Sequence, residues 1–151
     1  DKIMKIQDCM CKEVAYVTPE STVKDCAKIM CEKHVGCIPV CDNTQKIVGL
    51  VTDRDVILRS IACDKDVCQT KVTDIMTCNV CCCRPEEDIT KAEKLMSQNQ
   101  IRRLPVVDDN NKIVGIITLG DLASHQNVST ESVCDTLENI CCSQEKMQNN
   151  L

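Results

Sequence analysis

The chain has 151 residues, a net charge of −5 and a pI near 5.0. That length fits one compact unit or two small halves sharing a core, and no Lys/Arg run is present to track nucleic acid. No apolar stretch approaches the roughly 18 residues of a membrane span, and no signal-peptide pattern opens the sequence, which begins at Asp1.

Lys5–Met10 forms a short opening, and an apolar strand is predicted over Val14–Val17. Thr18-Pro19-Glu20-Ser21-Thr22 carries helix-start chemistry, with an early Pro, a hydroxyl for the cap and an acid nearby. Val23, Cys26, Ala27 and Met30 then fall at helical spacing, and the helix ends near His34–Gly36. Cys37–Cys41 and Ile47–Val51 read as strands joined by the hairpin turn Asp42–Gln45. Thr52-Asp53-Arg54-Asp55 starts a second helix, and a polar linker follows. From Lys71 the same order, β-α-β-β-α, runs again through Leu119–Gly120–Asp121. Ser129 or Thr130 caps a last helix with Val133, Leu137, Ile140 and Cys141 on one face, and the end from Gln144 is polar and expected to fray.

The second half is a copy of the first at a constant offset of 66 residues. Asp8, Met10, Pro19, Met30, Pro39, Asp42, Gly49, Thr52 and Asp55 recur as Asp74, Met76, Pro85, Met96, Pro105, Asp108, Gly115, Thr118 and Asp121. A period this long, present twice, argues for a domain pair rather than a solenoid. Each half of about 60 residues is too small to be comfortable alone. Two like halves are expected to pack about a pseudo-two-fold axis, with equivalent clefts facing across it.

There are 15 cysteines, no Phe or Trp, and one aromatic residue, Tyr16, so the core must be built from Ile, Val, Leu, Met and Cys. Cys26 aligns with Ala92, Cys41 with Val107, Cys9 with Ile75, and Cys81 and Cys83 with Ala15 and Val17. These thiols therefore stand where small or apolar side chains stand in the other copy. Such a composition suits a reducing cytosol.

The unit that carries chemistry is Gly49-Leu-Val-Thr52-Asp-Arg-Asp55, with its copy Gly115-Ile-Ile-Thr118-Leu-Gly-Asp121. A strand ends, a hydroxyl follows, and a carboxylate sits three residues later in the first helical turn. The simpler reading is a capping box. The functional one is a carboxylate that accepts two hydrogen bonds from a ribose diol, with the hydroxyl and free helix N-terminal N–H groups meeting an anionic end. The doubling favours the second.

With these signatures in order, the repeat resembles a pair of CBS (cystathionine-β-synthase-type) domains, the tandem unit called a Bateman module. The matching elements are Asp74-Ile-Met and Asp8-Cys-Met, Val17-Thr-Pro, the apolar-Pro-Val-x-Asp strands Ile38–Asp42 and Leu104–Asp108, and both Gly-x-x-Thr-x-x-Asp turns. The resemblance covers about residues 5–126. It implies an α+β fold of two β-α-β-β-α repeats, 5–62 and 71–126, packed through their sheets and joined by the linker 63–70, with a tail over 127–151. It implies a stand-alone, cytosolic regulatory homodimer acting on a partner protein, without catalysis, a required cofactor or a metal. The implied regulatory ligand is AMP, ADP, ATP or S-adenosylmethionine. Position by position, Asp55 and Asp121 would hold ribose hydroxyls with Thr52 and Thr118, and Val35, Gly36, Ile38, Ile101, Arg102 and Leu104 would line the base slots. Clefts in such pairs often mix the Asp of one half with the strand of the other, which would pair Asp55 with Ile101–Leu104 and Asp121 with Val35–Ile38.

The halves differ at Arg54, opposite Gly120, and at Arg102-Arg103, opposite Gly36-Cys37. Arginine forks suit phosphate oxygens, so the Asp55 cleft is expected to prefer a phosphorylated nucleotide. Two other readings compete. Cys9-x-Cys11, Cys78-x-x-Cys81-Cys82-Cys83 and Cys141-Cys142 suggest a metal or redox sensor, but zinc takes paired knuckles and only one CxxC exists. A ligand-free dimerisation scaffold is the third. No P-loop, dinucleotide fingerprint or catalytic triad order is present.

Overall fold

A computed structural model describes residues 3–125 and 127–148. Its elements are α1 (Ile6–Cys9), α2 (Val23–Lys33), β1 (Cys37–Cys41), β2 (Ile47–Thr52), α3 (Asp53–Val56), α4 (Ile89–Asn99), β3 (Arg103–Val107), β4 (Ile113–Thr118), α5 (Leu119–Ser124) and α6 (Thr130–Gln148). A π-helical turn over Ile57–Ile61 continues α3, and a 3₁₀ turn spans Val72–Asp74. The strands form two separate antiparallel hairpins, β1–β2 and β3–β4. The result is the mixed α+β architecture expected.

The chain divides into two compact units that do not follow the repeat boundaries. One holds residues 14–80 and 110–113; the other holds 1–13, 81–109 and 114–151. The opening segment of each repeat thus packs with the body of the other. Below, the first is the first-half unit and the second the second-half unit.

In the first-half unit, Thr22 caps α2 by accepting from Asp25 N–H at 3.1 Å, and Asp25 returns a bond from Thr22 N–H at 3.2 Å. The linker completes this helix start, because Val23 and Lys24 N–H donate to the carbonyls of Thr70 and Val67 at 2.9 and 3.0 Å. The helix stops at His34 in the left-handed conformation, φ 54°. Its counterpart Gln100 ends α4 the same way at φ 55°. Gln45 and Asn111 repeat the pattern in the hairpin turns, with φ 67° and 63°. Val17, Val23, Cys26, Ile38, Val40, Val51, Val56, Val72 and Ile75 make the core.

The strand predicted over Val14–Val17 is a single parallel bridge, Val17 to Val40, and Cys83 to Val106 in the other unit. Val17 N–H donates to Pro39 O and Cys41 N–H to Val17 O. The next rung would need an N–H from residue 39, which is proline and has none. Pro105 ends the ladder at Cys83 for the same reason, with Cys83 N–H on Pro105 O at 3.1 Å and Val107 N–H on Cys83 O at 2.9 Å.

In the second-half unit, the opening segment is held by backbone. Ile6 and Gln7 N–H donate to the carbonyls of Glu87 and Pro85 at 2.9 and 3.0 Å, and Cys11 exchanges both bonds with Ile116. Met10 then lies over Gly115, where an added Cβ would meet its sulfur at 2.6 Å and the Cys11 carbonyl at 3.0 Å. Met76 lies over Gly49 likewise. α6 packs on α4 and α5. Ser129 rather than Thr130 caps it, accepting from Ser132 N–H at 3.3 Å. Its inward face is Val133, Thr136 and Ile140; Val133 and Ile140 face in as expected, whereas Leu137 is 40% exposed and Cys141 is exposed as well. Thr136 turns inward because buried Glu93 on α4 faces it, Thr136 Oγ1 lying 3.4 Å from Glu93 Oε2. The helix continues through Gln144 to Gln148; residues 149–151 of the end expected to fray lie outside the described residues.

Cys26, Cys41 and Cys83 are buried like their Ala, Val and Val counterparts, and Cys9 and Cys81 are half-buried against the second-half core. Burial pushes the Cys26 and Cys41 thiols up to about 11 and the Cys83 thiol up to about 12. Cys11, Cys31, Cys63, Cys68, Cys78, Cys134 and Cys141 are exposed and in no disulfide.

Three outcomes are expected. Because a raised thiol pKa means that the fold favours the protonated form, this stabilisation is complete below pH 9 and is lost as pH rises from 9 towards 11 and 12. Thiol-reagent labelling at pH 8 with mass mapping should modify Cys11, Cys31 and Cys63 quickly and Cys26, Cys41 and Cys83 only on unfolding; fast labelling of Cys83 would contradict the packing. Gly115→Ala should cost about 1–3 kcal/mol, more than Gly49→Ala, because a backbone carbonyl cannot swing aside as a methionine sulfur can. Urea denaturation of both variants checks the order.

Candidate functional site

The strand-to-helix corner is the same in both units and follows from two short side chains. Thr52 Oγ1 accepts from Asp55 N–H at 3.1 Å, and Asp55 Oδ2 accepts from Thr52 N–H at 2.9 Å. Thr118 and Asp121 repeat this at 3.0 and 2.9 Å. The capping box is therefore real, and it consumes one carboxylate oxygen of each aspartate and one lone pair of each hydroxyl. The second oxygen and the hydroxyl proton remain for other partners, so capping and ligand binding are compatible.

The strand start abuts the helix start within each half. Asp53 N–H donates to Gly36 O, and Leu119 N–H to Arg102 O, both at 2.9 Å. Val35, Gly36, Thr52, Arg54 and Asp55 thus gather at one corner, and Ile101, Arg102, Thr118 and Asp121 at the other. Val35, Arg54, Arg102 and Arg103 are exposed and Gly36, Ile101, Thr52 and Thr118 half-buried. Ile38 and Leu104 are 0% exposed. They lie in the cores behind the corners, where each anchors its strand and would serve as the floor of a slot.

The free helix N–H groups expected to meet an anion are not free in the first half. Asp53 N–H is on Gly36 O, Arg54 N–H is on Asp53 Oδ1 at 2.9 Å, and Asp55 N–H is on Thr52. The cause is Asp53, whose carboxylate reaches the next amide. Leu119 stands in its place in the second half and cannot, so Gly120 N–H has no partner among the described residues.

The second oxygens differ too. Asp55 is 9% exposed, and its Oδ1 lies 3.7 Å from Arg59 Nε. Asp121 Oδ1 has no cation partner among the described residues. Instead the half-buried Cys9 thiol lies nearby; burial raises its pKa most, with Asp8 and Asp121 adding to the effect. Arg59 was not among the residues picked out from the sequence. Its signal was present, four residues after Asp55 and therefore on the same helical face.

No group of three or more His, Cys, Asp or Glu side chains among the described residues is placed to hold a metal ion. No described helix is long and apolar enough to cross a membrane.

Comparison with known proteins matches this geometry. Residues 6–61 and 72–127 each match the CBS domain family. The CBS domain-containing protein YhcV of Bacillus subtilis is 42% identical over 135 residues, covering 89% of this chain and 94% of that protein. The solved CBS domain pair of protein MJ0100, in complex with 5′-methylthioadenosine and S-adenosyl-L-methionine, superposes with a TM-score of 0.73 at 27% identity, over 81% of this chain and 94% of that one. CBSX2 in complex with AMP gives a TM-score of 0.68 at 30% identity, over 78% and 91% of the two chains. A repeat matched twice by one family, on corners built alike in both copies, settles the ancestry: the chain belongs to the CBS domain family and carries two CBS domains in tandem.

Proposed function

We propose that this chain is a regulatory module that binds an adenosine-containing ligand, AMP, ADP, ATP or S-adenosylmethionine, at its Thr–Asp corners. The observation that carries this reading is the carboxylate oxygen left over at each corner after capping, beside a half-buried threonine hydroxyl. A ribose diol needs such an acceptor, and the base slots would be lined by the residues at the strand starts, Val35, Gly36 and Ile38 and Ile101, Arg102 and Leu104. The MJ0100 and CBSX2 complexes support the ligand class, since both hold adenosine compounds.

The module is not an enzyme in this reading. The corner carboxylates are tied to backbone amides. CBS pairs in general regulate rather than catalyse. It works as a homodimer in the cytosol, where the exposed thiols stay reduced, and passes a ligand-induced shape change to a partner protein.

Titration calorimetry against AMP, ADP, ATP and S-adenosylmethionine, with reductant present, tests the reading. Saturable binding by at least one is expected, with a thermal shift equivalent to about 2.7 kcal/mol when the ligand stands at 100 times its Kd. Asp55→Asn and Asp121→Asn keep an acceptor for the cap but halve the oxygens available to ribose, so each should weaken binding at its own corner by about tenfold or more without unfolding the chain. Absence of binding by all four ligands would leave the dimerisation scaffold as the better account.

A further inference from the structure

Asp55 and Asp121 hold the same position in the repeat, but their cationic surroundings differ. In the first half Arg54 and Arg59 flank the carboxylate; Gly120 and His125 stand at the matching positions in the second. Arg59 is the better placed of the two arginines. Its Nη1 donates to the carbonyls of Ile75 and Met76 at 3.3 and 3.4 Å, and its Nε faces Asp55 Oδ1 at 3.7 Å. The guanidinium is thereby held over the corner, while Nη2 has no partner among the described residues and the side chain is 55% exposed.

We propose that Arg59 gives the first-half site its preference for a phosphorylated adenosine ligand; this rests on the reading of the corner as an adenosine site. The backbone cannot do that work, because the amides of Asp53, Arg54 and Asp55 are already occupied. A phosphate at this corner must be met by side chains. Asp53 offsets part of the local positive charge, which leaves a held guanidinium as the main source of attraction. The two carbonyls keep Arg59 in place before any ligand arrives, so little reorganisation is needed when its outward edge meets phosphate oxygens. An uncharged adenosine also competes with Arg59 for Asp55 Oδ1 and offers the guanidinium nothing in return. At Asp121 neither the attraction nor the competition operates.

The experiment uses the full chain carrying Asp121→Asn, so that binding reports the first-half site, and titrates AMP, ATP and adenosine by calorimetry. Arg59→Gln should weaken AMP and ATP by about tenfold or more, the effect of losing a charge-assisted hydrogen bond, and leave adenosine unchanged or slightly tighter. Arg59→Lys keeps the charge but not the fork and should recover part of the loss. Equal weakening of adenosine and AMP would mean that Arg59 merely holds the segment at Ile75 and Met76, and would overturn the inference; so would no change in either. If the Asp121→Asn chain binds no nucleotide while the unmodified chain does, the inference falls and the adenosine reading survives. If neither binds, both fall.

Discussion

A threonine hydroxyl and an aspartate carboxylate three residues apart fix the strand-to-helix corner of each half. The helices that follow are short, four residues in α3 and six in α5. Helices of that length do not persist in water by themselves, because nucleation costs more than a few hydrogen bonds return. The capping box and the carbonyl of the facing strand hold them instead. Once the cap takes one carboxylate oxygen, the other is fixed in direction. An ordinary helix start signal thereby becomes an oriented acceptor.

The second constraint is the exchange of opening segments. Met10 and Met76 each lie over a glycine of a central strand, and only a residue without Cβ lets them approach so closely. This explains why the Asp-x-Met and Gly-x-x-Thr-x-x-Asp signatures occur together in both copies. Thioethers suit such a contact, being flexible and polarisable. The same logic runs through a core with no Phe or Trp, where Cys, Val, Ile and Met fill the space that rings would otherwise occupy.

Duplicate folding has left unlike corners. Asp53 closes the amides of α3, whereas Leu119 leaves Gly120 N–H open. In the π-helical turn after α3, the Ser60 hydroxyl takes the Val56 carbonyl and Ala62 N–H reaches back to Ile57 O. Among the described residues the second half shows no such turn; α5 ends at Ser124, and α6 covers α4 and buries Glu93. Corners built alike therefore differ in charge.

The sequence by itself determined whatever is local. Hairpin turns, helix caps, the doubled corner and the buried role of Cys26, Cys41 and Cys83 all rest on residues within a few positions of one another or on comparison of one copy with the other. Thr52, Asp55, Thr118 and Asp121 were legible for that reason. Tertiary structure decided the rest. The missing amides of Pro39 and Pro105 cut each opening strand to one rung, an effect visible only once the partner strand is known. Thr136 replaced Leu137 on the inner face of α6 because Glu93 lies beneath it. Arg59 is held facing Asp55 through carbonyls 16 and 17 residues away. Spacing along a chain encodes which residues share a turn; it does not encode which distant backbone will lie beside them.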